Sequence, residues 1–462
     1  MTIPEEFQAV VLAAGKGSRM LEITSGQQPK CLLPVGPKPL IWYILNKLAT
    51  SGFTEVILIV LENQKAEIQN AIDKETETSS LDITIDYVSI LENKDDLGTA
   101  ESLRMKEVHE KLKSDVLVVS CDLITDVNLT GIVNTFRKHN ASIVSLMFPM
   151  TPGDTVVVPG PKSKHKPEKD LVGIDEQTNR LVFLASASDF ESDVSLPMSL
   201  LKKHTNIKMY SSLIDSHVYI LKNWVIQYLK SQDNITSIKG ELIPYIVKKQ
   251  LSKPPKCPQA DISVVNTRDK NDIFSFAKED DLELLIRNTS AYNDHTGDLK
   301  PAYNGDLIRC YTCIAPKGSI GVRVNTLQSY WAINEKIHAF WSKISDDKEI
   351  IKKNPKATIL SNQIDDKCII WEGAKLSEKT SFKNAIIGTN SVVNSFSRVF
   401  NSIVMNNVVI KEKVALENCI VCDNAMIESG SKLKNCIIGN RHLVSEESEH
   451  TNELLTEAMM HF

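Results

Sequence analysis

Apolar residues fall in short continuous blocks through the first half of the chain, at residues 7–14, 56–61, 116–120, 143–147 and 218–221. Runs of that length predict strands buried on both faces. Between them, residues 40–51 and 99–113 carry the three-and-four spacing of helices. Strand and helix in alternation predict an α/β domain, Rossmann-like, with a mostly parallel sheet covered on both sides. A ligand of such a sheet sits beyond the carboxyl ends of its strands.

The pattern then breaks. Residues 160–169 form a lysine-rich polar loop, read as a solvated excursion, and residues 251–306 are polar and poorly periodic, read as an insertion. Order returns at 309–315 and 322–336, as a strand, a turn and a closing helix. Further on a repeat takes over. Asn384-Ala-Ile-Ile, Asn401-Ser-Ile-Val, Asn418-Cys-Ile-Val and Asn435-Cys-Ile-Ile recur every 17 residues, with apolar residues stepping by about six between them. Strand-sized pieces, three to a turn, predict a parallel β-helix of triangular section. Asparagine suits its corners because it tolerates the left-handed backbone. The expected division is an α/β domain over 1–340, a linker over 341–360, the β-helix over 361–445 and a tail over 446–462.

Composition narrows the function. A net charge of −5 over 462 residues argues against a surface dominated by nucleic-acid phosphate contacts. The acidic start, Met1-Thr-Ile-Pro-Glu-Glu6, lacks the apolar core of a signal peptide, and no apolar run reaches the ~20 residues that span a bilayer. Nine cysteines then predict reduced thiols in the cytosol. The pairs Cys310/Cys313 and Cys419/Cys422 sit among alternating apolar residues, so they read as small buried side chains ahead of zinc ligands.

The candidate chemistry follows the first strand. In Leu12-Ala-Ala-Gly-Lys-Gly-Ser-Arg-Met20, Gly15 and Gly17 allow a tight turn and close approach to a ligand. Backbone N–H groups in such a loop can face phosphate, with Arg19 and Lys30 adding charge. Together with Pro29-Lys-Cys-Leu-Leu-Pro-Val35 and Gly36-Pro-Lys-Pro-Leu-Ile41, this resembles the signature of the sugar-phosphate nucleotidyltransferases.

That resemblance implies two carboxylates on magnesium. The matching positions are Asp122, in Val118-Val-Ser-Cys-Asp-Leu123, and Asp215, in Leu213-Ile-Asp-Ser-His-Val-Tyr219. Leu97-Gly-Thr-Ala100 resembles the stretch near the base, with Gly98 giving backbone access. Three features depart from the family. Cys121 and His217 stand where it has glycine, and 181–189 lacks its lysine. The departures imply that Asp122 and Asp215 are remnants, that no metal is required, and that Gly15, Gly17, Arg19, Lys30 and Gly98 form a vestigial site for a weakly bound purine nucleotide with magnesium.

The β-helix is similar to the left-handed hexapeptide kind. With it, the segments Leu40-Ile-Trp-Tyr43, Ser120-Cys-Asp-Leu-Ile-Thr-Asp126, Ile235-Thr-Ser-Ile238 and Glu241-Leu-Ile-Pro-Tyr245 resemble the gamma subunits of eukaryotic translation initiation factor 2B. The resemblance implies a non-catalytic scaffold of the guanine-nucleotide exchange factor for initiation factor 2. Its partners would be the catalytic epsilon subunit and the other subunits, with no direct nucleic acid or membrane. The short stretch after Ser445 favours gamma over epsilon, whose exchange activity lies in a C-terminal helical domain. An active enzyme such as a mannose-1-phosphate guanylyltransferase is the alternative. A β-helix acyltransferase would need a histidine on the coils, and His442 lies only at their end.

Overall fold

The computed structural model describes residues 6–24, 28–78, 81–91, 97–150, 158–161, 169–190, 193–252, 272–277, 285, 306–345 and 349–456. The 251–306 stretch lies almost wholly outside them, as do the middle of the lysine-rich loop and the last six residues.

Seven strands form the central sheet, in the order Cys310–Ile314, Ile143–Pro149, Leu213–Leu221, Asp115–Ser120, Phe7–Leu12, Glu55–Leu61 and Thr84–Ile90. All neighbours are parallel except Leu213–Leu221, which is antiparallel to both of its partners. Each expected apolar block is one of these strands. Their side chains feed two hydrophobic clusters, one on each face. A three-stranded antiparallel sheet, with Asp170–Asp175 between Leu181–Ser186 and Ile207–Tyr210, stands beside it.

The helix expected over 99–113 is two helices, Thr99–Arg104 and Lys106–His109, separated by Met105 at ψ 139°. Leu103 and Val108 are both fully buried. Five positions apart, they would point to different faces of one continuous helix. The extended residue between them brings both inside.

From Thr358–Ile359 to Leu454–Leu455 the chain winds through three parallel sheets of six strands each. Interior residues align coil on coil, as in Leu376, Val393, Ile410, Ile427 and Val444. Around one coil the inward positions are Leu376, Phe382, Ile387 and Val393. The steps are six, five and six, so the residue missing from an ideal 18 is lost at the corner holding Asn384. Asn384, Asn401, Asn418, Asn435 and Asn452 all have positive φ there. Their side-chain amides form a ladder, with Asn384 Nδ2 donating to Asn401 Oδ1 at 2.6 Å and Asn435 Nδ2 to Asn452 Oδ1 at 3.0 Å.

The coil overruns its expected limits. Glu449–Thr451 pairs with Lys432–Lys434, and Leu454–Leu455 with Ile437–Ile438. The expected tail therefore starts with most of another coil. Polar residues such as Glu449 and His450 occupy its strand positions and hide the apolar period.

The two halves share one interior. Ile369, Ile386, Ile403, Ile420 and Ile437, the outward row of one coil sheet, are buried against Met20, Leu33, Val35, Trp42 and the closing helix Leu327–Ile344. Within that cluster Trp42 stacks on Trp341. Gly36 joins the halves: its N–H donates to Asn334 Oδ1 (2.9 Å), and its carbonyl accepts from Trp371 Nε1 (2.8 Å). A side chain at Gly36 would meet Ile337 at 2.7 Å, and its φ is +58°. The segment Gly36-Pro-Lys-Pro-Leu-Ile41 thus works at this junction. The start of the lysine-rich loop also lies on the coil, with Gly160 N–H donating to Asn435 O at 2.8 Å.

Candidate functional site

A cleft of about 510 Å³ opens beside the glycine loop, beyond the carboxyl end of Phe7–Leu12. Gly15, Gly17, Arg19 and Lys30 all line it, together with Lys16 and Asp122. A Cβ on Gly15 would meet nothing within 4 Å, so the backbone there faces open space. Gly17 has φ +70°, a turn that lays the loop along the Lys30 side chain.

Gly98 does not reach the cleft wall, though Leu97 does. Its missing side chain is needed elsewhere: a Cβ would stand 2.2 Å from Thr236 O. That carbonyl accepts from Ala100 N–H at 2.9 Å. Gly98 is a close-packing glycine that locks the segment Ile235 to Ile238 against the helix Thr99–Arg104.

The two carboxylates are brought to the same region but are differently employed. Asp122 is 2% exposed. Lys30 Nζ lies 2.6 Å from its Oδ2; Arg323 donates from Nε to Oδ1 (3.3 Å) and from Nη2 to Oδ2 (3.2 Å). Burial opposes its ionisation, but Arg323 and then Lys30 outweigh it and hold the carboxyl well below the usual carboxylate range. The neighbouring Cys121 thiol is pushed up to about 12, by burial first and by Asp122 second, so it stays protonated.

Asp215 is turned inward. Its Oδ1 accepts the backbone N–H of His217 and its Oδ2 accepts the Tyr219 hydroxyl, both at 2.7 Å. Burial raises its pKa. His217 has φ +55°, a backbone suited to the glycine it replaces, and the Asp215 bond holds that turn. The imidazole lines the cleft, as its bulk predicts, and burial together with Arg323 keeps it neutral.

Magnesium asks for several oxygen ligands in an octahedron. Here both oxygens of Asp122 are held by cations and both of Asp215 by internal donors, so this donor set does not fit the ion. Among the described residues no three His, Cys, Asp or Glu side chains group as a metal site. Cys310, Cys419 and Cys422 are buried free thiols, in line with the structural reading of both pairs, and Cys313 is a partly buried one.

The strand Leu181–Ser186 supplies Leu184, Ala185 and Ser186 to the wall and no cation. The cleft is nonetheless cationic, through two residues that sequence reasoning missed. Lys239 reaches in and pairs with Asp170 Oδ2 at 2.9 Å, and Arg323 comes from the short strand Gly321–Arg323. Five cations face three carboxylates across it. The signal for Arg323 was its place between Val322 and Val324, a charge at an alternating position of a strand. Lys239 carried no such signal.

Comparison with known proteins matches this architecture. Residues 8–155 fit the family model described as nucleotidyl transferase, and residues 372–451 the one described as GlmU-like, C-terminal hexapeptide, in accord with a left-handed coil. Translation initiation factor eIF2B subunit gamma of Schizosaccharomyces pombe is 32% identical over 384 residues, covering 83% of this chain and 74% of that one. The chain belongs to the family of eIF2B gamma subunits. The gamma subunit of Caenorhabditis elegans is 34% identical over 260 residues, 56% of this chain and 60% of its own length. An eIF2B epsilon subunit, from Schizosaccharomyces pombe, is 22% identical over 245 residues, 53% of this chain and 35% of that one. The gamma family thus shares sequence with epsilon across roughly half the present chain.

Proposed function

We propose that this eIF2B gamma-family chain is a non-catalytic scaffold and regulatory subunit of the guanine-nucleotide exchange factor for translation initiation factor 2. In this reading it pairs with the catalytic epsilon subunit and joins the other subunits. The observation that carries the reading is the similarity to gamma subunits over 83% of the chain, spanning both halves. The site supports it: a phosphoryl-transfer enzyme needs carboxylates free to hold metal, and Asp122 and Asp215 are otherwise engaged. In this reading the nucleotidyltransferase residues are only partly kept, with Cys121 and His217 standing where that family has glycine. Initiation factor 2 is the substrate of the assembly, and this chain makes no direct contact with nucleic acid or membrane. It acts in the cytosol. The net charge of −5 is in keeping with a surface that does not track nucleic-acid phosphates, and no described helix is long and apolar enough to cross a membrane.

Affinity purification of the tagged chain from cell extract tests the reading. Stoichiometric epsilon and companion subunits, with faster GDP release from initiation factor 2 when the chain is present, are the expected result. A lone homo-oligomer that makes sugar nucleotides from a sugar phosphate and a triphosphate would overturn it.

A further inference from the structure

We infer that residues 158–161 are a strap, which reaches from the α/β half onto the coil and holds the last rungs of the coil closed. Such a strap acts within this chain and is independent of the scaffold role.

The path of the backbone shows where it is fastened. The chain leaves the α/β half at Met150, whose N–H donates to Ser212 O at 2.7 Å. It is back there at Lys169, whose carbonyl accepts from Ala187 N–H at 2.8 Å. Between those fixed points residues 158–161 lie on the coil. Gly160 N–H donates to Asn435 O at 2.8 Å, Pro159 is buried, and Val158 packs into the cluster that holds the outward isoleucines. The fit over Ile437 is close. A Cβ on Gly160 would stand 2.6 Å from Ile437 Cδ1, and a φ of +90° strains any residue but glycine. Pro159 and Pro161 flank this glycine, and their fixed φ lowers the entropy lost when the segment is ordered.

The rungs beneath are those that need support. The final rung of a solenoid has a neighbour on one side only, so it frays first. Here it is also poorly filled. Phe382, Val399, Leu416 and Leu433 form one buried column, and the next position in register is His450, partly exposed, with Nδ1 2.8 Å from Glu453 Oε2. Asn435 passes the hold on to that rung. Its carbonyl receives the strap, and its Nδ2 donates to Asn452 Oδ1 at 3.0 Å. Close by, the N–H groups of Ile437 and Gly439 donate to Glu453 O (3.0 Å) and Leu455 O (2.7 Å). Fixing residues 435–439 from the side therefore fixes the platform on which the last rung pairs.

Hydrogen exchange on the full chain, read by mass spectrometry, tests the strap. Proline has no N–H, so Gly160 is the sole backbone reporter within 159–161. Its amide is expected to exchange about tenfold or more slowly than in an unstructured peptide. Gly160→Val cannot lie over Ile437, and Val158→Ser removes an apolar contact. Each should speed exchange at Ile437 and Gly439 by about tenfold for a lost contact of about 1.4 kcal/mol. Residues 375–394, several rungs away, should keep the rates of the parent. Should Gly160→Val fail to fold, the parent and Val158→Ser still decide. Free-peptide exchange at Gly160 in the parent would overturn the inference. So would unchanged rates at Ile437 and Gly439 in the variants, or an acceleration spread evenly along the whole coil.

Discussion

The indole of Trp42, on the first long helix of the α/β half, stacks on that of Trp341 in the closing helix, with centroids 6.0 Å apart and planes within 8°. Both belong to the cluster that holds the outward isoleucines of the coil. Aromatic stacking adds roughly 0.5–1.5 kcal/mol beyond area burial, and truncating a buried Trp costs about 3–5 kcal/mol. Trp341→Ala should therefore lower the melting temperature by many degrees, and both halves should soften together. Calorimetry of the unmodified chain is expected to show one transition. Two well-separated transitions would contradict the shared interior.

Asp423 lies at the same junction, where its carboxylate accepts from Asn406 N–H and from the Gln28 amide. Burial pushes its pKa up to about 6 from an ordinary value of 3.8. The folded chain thus holds a proton in the range where the unfolded chain has released it. Stability from this group is complete below pH 3.8 and declines as the pH rises through about 6. Asp423→Asn removes the decline, since the Gln28 amide can turn to accept. The variant should melt higher than the parent at pH 7.5 and equal it near pH 4. Identical melting curves at both pH values would refute the assignment.

Gly98 and Gly15 should respond oppositely to alanine. At Gly98 the new methyl would collide with a backbone oxygen at 2.2 Å, which no rotamer change relieves. Gly98→Ala is expected to destabilise the chain by about 2 kcal/mol or more. Gly15→Ala meets no atom and should leave the melt unchanged within about 0.5 kcal/mol. Thermal melts of the two variants check both halves of this contrast.

The asparagine corner has its own signature. Asn418→Ala removes two amide bonds of the ladder and puts alanine at φ 52°. The left-handed backbone alone costs about 1–2 kcal/mol for a residue with a Cβ. Asn418→Gly relieves that part and loses only the amides. Urea unfolding should rank the parent above the glycine variant and the glycine variant above alanine. Alanine equal to glycine would mean that the backbone strain is absent.

Much of the fold could be read in advance because it repeats or alternates. The five apolar blocks are strands since a sheet covered on both faces admits nothing else, and the 17-residue interval of asparagines marks the coils. The site was less open to reading. Gly15, Gly17, Arg19 and Lys30 meet at the cleft because they flank one strand. Arg323 and Lys239 arrive from about 200 residues and more away in sequence, and only tertiary packing brings them there. The packing of Gly98 on Thr236 was not legible, because a glycine needed for close packing and one needed for ligand access look alike in a sequence. The outward row of isoleucines fitted the repeat equally well whether it faced solvent, a partner or the chain's own other half.

Because the isoleucine row is sealed against the α/β half, the coil cannot swing. Only its two other sides remain on offer. Whatever docks there is held at one bearing to the glycine loop, instead of being sampled over the reach of a tether. A rigid set-square of this kind spends no orientational entropy on bringing two bound bodies into register. Lengthening residues 346–357 alone would then leave that angle as it stands.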